Sequence, residues 1–171
     1  MRSWYGSPVR RMTSNVDRYW EQYLDSLPVD AKRPSGYADT VAFGFTWEHA
    51  RAIAPLVRNG PKTATGDLVW SSEADGKPGA RPRDLWVVIA GPDEPVCIVE
   101  VTEVRVFPYD EVPHEYAWEG GEGDRTVRDW RRIYWKLIVS ECKRIGREPD
   151  VKAPLSMERF RLVYSEPLRV I

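Results

Sequence analysis

The side chain best placed for chemistry in this sequence is Lys62, which follows Gly60 and Pro61. Glycine takes a positive φ without steric cost and proline cannot donate a backbone hydrogen bond, so the two residues predict the end of a helix. An extended run opens directly afterwards, at Thr63. A lysine held by short, stiff chain on both sides suits a functional cation, whereas most lysines in turns are solvated and idle. Both interpretations stay open.

An acidic, glycine-rich loop at residues 118–124 carries a second set of chemical groups, Glu119, Glu122 and Asp124. Carboxylic acids on such a loop can act in acid–base catalysis or bind a hydrated Mg²⁺. The alternative is structural, because Asp124 or Thr126 can cap the helix that follows by accepting hydrogen bonds from its first backbone amides. A capping function for one of these residues does not exclude a catalytic function.

A cationic stripe lies along the predicted helix that begins near residue 126. Its members recur at helical spacing and are Arg125, Arg128, Arg132 and Lys136. Trp135 lies beside this stripe rather than on the apolar one. Cations with an exposed indole suit single-stranded RNA, since the charges contact phosphates and the ring stacks on a base. The alternative is a solvated face with Trp135 packed against a strand.

The hydrophobic spacing predicts the elements that position these residues. Capped amphipathic helices are expected over residues 14–27, 46–59 and 126–146, with a helical turn at 112–117. Strands are expected over residues 41–45, 63–70, 85–89, 96–106 and 160–164, and a loop over residues 71–83. Strands interleaved with helices predict an α+β domain built on a mixed, barrel-like sheet.

Composition restricts the class of protein. The chain of 171 residues fits one domain, predicted over residues 14–171 behind a loose tail at residues 1–13. The net charge of −1 argues against a generally basic nucleic-acid binder. No apolar run could span a bilayer and the N-terminus lacks a signal-peptide core, so no membrane partner and a cytoplasmic location are expected. Cys97 and Cys142 fall in apolar segments and are expected to be buried, reduced thiols rather than zinc ligands.

Four short motifs in series resemble the ASCH domain family, and the match runs from about residue 43 to residue 164. The motifs are the Gly-x-Lys-Thr-Ala-Thr run at residues 60–65, Pro-Val-Cys-Ile-Val-Glu-Val-Thr-Glu-Val at 95–104, Gly-Glu-Gly-Asp at 121–124 with Trp-Arg at 130–131, and Glu-Arg-Phe at 158–160. The resemblance implies a PUA-like mixed β-barrel flanked by helices, with a cleft that faces RNA or a nucleoside-like ligand. Members of the family have been assigned RNA binding, ribonuclease activity and amide hydrolysis of acetylated cytidine.

The resemblance also implies site residues. The lysine that is catalytic in both enzymatic branches falls on Lys62, and the threonine of the amidohydrolase branch falls on Thr65. The acid of that branch falls on Gly120, so Glu119 and Glu122 remain the two candidates for its function. The ribonuclease branch has a tyrosine where this chain has Leu56 and a serine where this chain has Thr126. The chain thus keeps the lysine and the hydroxyls but departs from each branch at one position.

In an amidohydrolase, Lys62 would act as the base and Thr65 as the nucleophile, with Glu119 or Glu122 protonating the leaving amine. In a ribonuclease, the resemblance implies that the hydroxyl of Thr126 takes the place of the family's serine. Residues 63 and 65 of a strand share a face, so Thr65 can point towards the cleft beside the turn. A threonine hydroxyl needs a neighbouring base. The expected ligand-binding residues are Thr63, Arg125, Arg128, Arg131, Arg132, Trp135, Lys136 and Arg159.

Three hypotheses therefore follow. The first is a hydrolase that acts on a nucleoside or RNA through Lys62, which would make it a ribonuclease or an amidohydrolase. The second is a non-catalytic module that binds RNA or a modified base, and the third is a domain that binds an unrelated small molecule. The expected partner is RNA or a nucleoside-like molecule. No metal site or cofactor is expected, with a dependence on Mg²⁺ as the alternative.

Overall fold

The structure, a computed structural model, describes residues 13–166. Its helices are α1 (Asn15–Ser26), α2 (Trp47–Asn59), α3 (Val69–Ala74), α4 (Glu115–Glu119) and α5 (Val127–Ile145). Its strands are β1 (Asp39–Val41), β2 (Ala64–Leu68), β3 (Leu85–Ile89), β4 (Pro95–Pro108) and β5 (Pro154–Tyr164), and a 3-10 turn at Tyr109–Glu111 follows β4. Nearly all of the predicted N-terminal tail, residues 1–12, lies outside the described residues.

The five strands form one mixed sheet in the order β1-β3-β4-β5-β2. β1 pairs with β3 in parallel, whereas β3 pairs with β4 and β2 pairs with β5 antiparallel. The predicted α+β class with a mixed sheet is therefore confirmed. A parallel sheet with helices on both faces, which would have contradicted it, is not what the chain forms.

The chain divides into two compact units, the first of which contains residues 13–58, 84–100 and 162–166 of the described part. Its core is the apolar face of α1 packed on β3 and β4. The side chains of this core are Val16, Tyr19, Trp20, Tyr23, Leu85, Val87, Ile89 and Ile98. Ser14 caps α1, as expected, by accepting a hydrogen bond from the Asp17 amide at 3.0 Å.

The second unit contains residues 59–83 and 101–161, and α5 is its central helix. Thr126 caps α5 by accepting a hydrogen bond from the Asp129 amide at 3.2 Å, and Gly146 ends the helix with a φ of 71°. The buried residues of α5 are Trp130, Tyr134, Leu137, Ile138, Glu141 and Cys142. α5 packs against β2, α3 and α4, so the helix lies behind the strand that begins just after Lys62.

Most of the predicted strands have different limits in the structure, and β5 begins at Pro154 rather than at residue 160. Val69 and Trp70 open α3 rather than extend β2, because contacts of α3 with α5 outweigh the β propensity of these residues. The strand expected at residues 41–45 is β1 at Asp39–Val41. Gly44 has a φ of 106° and the His49 ring fills the space beside it, so the chain turns there.

The glycine loop at residues 118–124 packs directly on the turn that carries Lys62. The Thr63 amide donates to the Glu119 carbonyl at 2.8 Å, and the Phe160 amide donates to the Thr63 carbonyl at 2.9 Å. Gly121 has a φ of 67°, and a Cβ atom at this position would lie 2.6 Å from the Lys62 amide nitrogen. Only glycine allows this close approach, which brings the loop and the turn together.

The cap of α5 can be tested by Thr126→Ala, which removes the oxygen that binds the Asp129 amide. We expect the free energy of unfolding in urea to fall by about 1 kcal/mol, with Thr126→Ser close to wild type. Ser140→Ala, at an exposed position within the same helix, is the control and should change it by less than about 0.5 kcal/mol. An unchanged stability for Thr126→Ala would show that the cap is dispensable.

The contact between the loop and the turn can be tested by Gly121→Ala. We expect the free energy of unfolding to fall by about 2 kcal/mol or more, because the new Cβ meets the Lys62 backbone and the left-handed conformation disfavours alanine. Gly79→Ala is the matched control in the same unit, since Gly79 has no heavy atom within 4 Å of a Cβ position. If both variants unfold at the same urea concentration, the close approach is not required for stability.

Candidate active site

Lys62 is buried, with 2% of its surface exposed, and its ammonium group lies among three oxygen atoms. Its Nζ donates to the Ala64 carbonyl at 3.0 Å, to the Gly120 carbonyl at 3.2 Å and to Glu122 Oε1 at 2.6 Å. An ammonium group has three N–H donors and burying it is costly unless they are satisfied. The turn and the glycine loop therefore supply the acceptors that allow a charged lysine to be buried here.

Glu122, rather than Glu119, is the carboxylate that reaches Lys62. Glu119 instead accepts a hydrogen bond from Arg159 Nε at 2.7 Å, and Glu103 binds the same guanidinium. These two carboxylates raise the pKa of Arg159 despite its partial burial, and its guanidinium also lies 4.3 Å from the centre of the Tyr116 ring. The two acids of the loop therefore bind different cations.

Thr65 lies in β2, is half-buried and directly precedes Gly66, where a Cβ atom would lie 2.9 Å from Tyr134 Cε1 of α5. Burial raises the pKa of Tyr134 far above its ordinary value, and the nearby charges of Glu122, Glu158 and Asp67 raise it further. The phenol is therefore neutral over the whole physiological range. Tyr134 is not among the site residues that the sequence predicted.

Glu158 is a second buried carboxylate that sequence reasoning did not place in the site. It is paired with Thr65 across β2 and β5 and only 1% of its surface is exposed. Residues paired across two strands point to the same face of the sheet, so Glu158 and Thr65 share a face. Ser156 Oγ donates to Glu158 Oε1 at 2.5 Å. The available signal was its place in the Glu-Arg-Phe motif at residues 158–160, but the predicted strand begins only at residue 160 and so left Glu158 outside it.

The side chains of Thr126 and Asp124 lie at the start of α5 and bind backbone amides there. The Thr126 hydroxyl caps α5, and both its amide and its hydroxyl donate to Asp124 Oδ1, at 2.9 and 2.6 Å. These two bonds to Thr126 lower the pKa of Asp124. Thr63 is exposed and its backbone fixes the turn to the glycine loop and β5.

The cationic residues are mostly bound to neighbouring groups. Arg125 stacks on Trp118, with 3.5 Å between its guanidinium carbon and the ring centre, and Trp118 is 62% exposed. Arg132 pairs with Asp129 at 2.7 Å and Arg131 donates to the carbonyl oxygens of Asp110 and Val112. The remaining predicted residues are Trp135, which is half-buried and lies 5.5 Å from Tyr109 between ring centres, and Arg128 and Lys136, which are exposed.

A buried ammonium group and the carboxylate that it binds therefore lie next to the start of β2, the strand that contains Thr65 and pairs with Glu158. Within residues 13–166, no group of three or more histidine, cysteine, aspartate or glutamate side chains is arranged to hold a metal ion. The same residues contain no helix of the length and hydrophobicity that crossing a membrane requires. Both cysteines in this range are buried and free of disulfides, and burial raises the pKa of Cys97 to about 12.

Several solved structures are similar to this chain. The chain is similar to the ASCH domain of Lactobacillus crispatus JV V101, with 27% identity, a TM-score of 0.80, and coverage of 88% of this chain and 94% of that one. It is also similar in fold to protein EF3133 of Enterococcus faecalis V583, with 22% identity, a TM-score of 0.75, and coverage of 87% and 88%. A search among curated proteins gave no match. The sequence profile of the ASCH domain matches residues 39–164, and the chain therefore belongs to the ASCH domain family.

Proposed function

We propose that this protein is a hydrolase that cleaves the amide bond of acylated nucleosides such as acetylated cytidine. The observation that carries the proposal is the ion pair of the buried Lys62 with Glu122, 2.6 Å apart, next to the start of the strand that contains Thr65. A nucleophile, a base and an acid are the groups that amide hydrolysis requires.

In this mechanism, Thr65 Oγ attacks the acyl carbon of the substrate and Lys62 takes the hydroxyl proton. The bond between the acyl carbon and the exocyclic nitrogen then breaks, and the leaving amine takes a proton. Water attacks the resulting ester on Thr65, which releases the carboxylic acid and restores the hydroxyl. Glu122 is the acid, because it is the carboxylate of the loop that shares a hydrogen bond with Lys62.

Lys62 becomes a base by passing one proton to Glu122. In the structure all three of its N–H groups have acceptors, so the ammonium form is a donor and cannot accept the Thr65 proton. Transfer of one proton over the 2.6 Å hydrogen bond leaves a neutral amine beside a neutral carboxylic acid. The pair then contains the base for the first step and the acid for the leaving amine.

The arginine residues expected to bind RNA favour an uncharged nucleoside over an RNA phosphate, because Arg131, Arg132 and Arg159 already bind carbonyl or carboxylate oxygens of the protein. The amidohydrolase alternative is therefore better supported than the ribonuclease alternative.

A non-catalytic module that binds RNA or a modified base is the second candidate. The hydrogen bonds of the Lys62 ammonium favour this candidate, because a lysine whose three N–H groups all have acceptors can serve a purely structural function. The exposed Trp118 with its stacked Arg125, together with the exposed Arg128, would supply a ring and cations for such binding.

The hydrolase proposal is tested by release of acetate from acetylated cytidine. Lys62→Met, Thr65→Val and Glu122→Gln should each lower kcat/KM by about 100-fold or more, because each removes a group that takes part in proton transfer or attack. Glu119→Gln, three residues earlier on the same loop, should retain kcat/KM within about threefold, since its carboxylate binds Arg159. Circular dichroism of each variant is the control for folding.

Two results would contradict this assignment in different ways. Unchanged turnover in Lys62→Met excludes the mechanism, and a wild-type protein inactive on every acylated nucleoside excludes the hydrolase itself. A loss of activity in Glu119→Gln but not in Glu122→Gln would instead exchange the functions of the two acids.

The binding-module candidate is tested by the affinity for single-stranded RNA at several salt concentrations. Arg128→Ala should lower the slope of log affinity against log salt by about one unit, because one phosphate contact is lost. Lys32→Ala, an exposed cation of the first unit, is the control and should leave the slope unchanged. An RNA affinity independent of salt would show that the stripe is only a solvated face.

A further inference from the structure

Glu158 is a buried acid that the proposed mechanism does not use. Only 1% of its surface is exposed, and acidic side chains are almost never buried to this extent unless they bind another group. The register of the sheet places Glu158 directly opposite Thr65, the proposed nucleophile, so both side chains point to the same face. The acid and the hydroxyl therefore lie side by side.

The face of the sheet that carries these two residues is polar and reaches solvent. It also carries Asp67 and Ser156, which are paired with each other across the same two strands. Thr65, Asp67 and Ser156 are half-buried, whereas the residues of β2 that point to the opposite face are buried. Glu158 is thus the buried member of a group of polar side chains whose other members are accessible to a ligand.

The carboxyl group of Glu158 is oriented by a neighbour and can accept further hydrogen bonds. Ser156 Oγ donates to Glu158 Oε1 at 2.5 Å, along the same face of β5. A carboxyl group has two oxygen atoms with about four lone-pair positions, and it accepts hydrogen bonds whether it is ionised or protonated. Such a group can bind an N–H group of a ligand in addition to the Ser156 hydroxyl.

The spacing of the two paired side chains matches an amide substrate. Directly opposite residues of an antiparallel pair have Cβ atoms about 4.5–5.5 Å apart. In a secondary amide, the N–H nitrogen and the acyl carbon are neighbouring atoms, joined by a bond of about 1.33 Å. An acceptor and a nucleophile that lie side by side can therefore reach the nitrogen and the carbon of the same amide.

We propose that Glu158 determines the substrate class of the site by accepting a hydrogen bond from the N–H group of the acylated exocyclic amine. Glutamate and aspartate accept from the exocyclic amine of cytosine in the same way when proteins read bases. The site then takes secondary amides of a nucleobase and rejects tertiary amides, which have no N–H group. This inference rests on the proposed amide hydrolysis for its kinetic part, whereas the preference for an exocyclic amine is a property of binding and needs no turnover.

The first experiment compares cleavage by the wild type of acetylated cytidine and of its analogue with a methyl group in place of the hydrogen on the exocyclic nitrogen. The methylated amide should have a kcat/KM lower by about 100-fold or more, because the buried acceptor is left without its donor. Glu158→Met should reduce the ratio between the two substrates to within about fivefold, because the acceptor itself is gone. Glu141→Met is the matched control, since Glu141 is a buried acid of the same unit that binds Arg144 at 2.8 Å, and it should keep the wild-type ratio.

The second experiment measures binding without chemistry, by calorimetry with cytidine and uridine. Cytidine carries an N–H donor on the exocyclic nitrogen where uridine carries an oxygen acceptor. The wild type should therefore bind cytidine at least about tenfold more tightly than uridine, and Glu158→Met should bind the two alike. The comparisons of ligands on the wild type hold even where Glu158→Met does not fold.

Equal affinity of the wild type for cytidine and uridine, or no measurable affinity for either, would overturn the inference. Equal cleavage of the two amides by the wild type, or an unchanged ratio in a folded Glu158→Met, would overturn it as well. A wild type that prefers cytidine but cleaves no acylated nucleoside would exclude the proposed hydrolase and support the assignment of Glu158 to the exocyclic amine.

Discussion

The burial of one positive charge is the constraint on which the second unit depends. Lys62 is buried and its ammonium requires a counter-charge and two carbonyl oxygens, which Glu122, Gly120 and Ala64 supply. Removing one partner of a buried ion pair leaves an uncompensated charge and typically costs about 3–5 kcal/mol. The glycine loop must therefore stay close to the turn, and the left-handed Gly121 permits that approach because a side chain there would meet the turn itself.

A second ion pair holds the same loop from the other direction. Arg159 of β5 binds Glu119 and Glu103, and it lies one residue after Glu158, whose side chain points to the opposite face of the strand. One strand thus fixes the loop with a cation on one face and supplies a buried carboxylate beside Thr65 on the other. The stability of the loop and the composition of the site are consequently properties of the same three strand residues, 158–160.

The arginine residues that suggested RNA binding are largely bound to the protein itself. Arg132 pairs with Asp129, Arg131 binds backbone carbonyls and Arg159 binds two glutamates. A phosphate ligand would have to compete with these partners.

The sequence by itself determined the local features. Ser14 and Thr126 identified the starts of α1 and α5, and Gly60 and Pro61 identified the helix-to-strand turn. The apolar run at residues 85–89 identified β3, and the alternation at residues 96–106 identified most of β4. These predictions were correct because capping, turn conformation and strand alternation depend on residues close together in the chain. The resemblance of short motifs likewise sufficed to identify the family. The same resemblance implied Lys62 and Thr65 as site residues.

Only the tertiary structure decided which acid meets the lysine and which side chains surround the threonine. Glu119 and Glu122 are equivalent in sequence, but the turn of the loop at Gly120 and Gly121 sends one to Arg159 and the other to Lys62. Tyr134 of α5 packs on Gly66, the residue after Thr65, and Glu158 of β5 lies opposite Thr65 through the strand register. Such contacts join residues far apart in the chain, and no local pattern encodes them because the free energy that fixes them comes from burial of the whole unit.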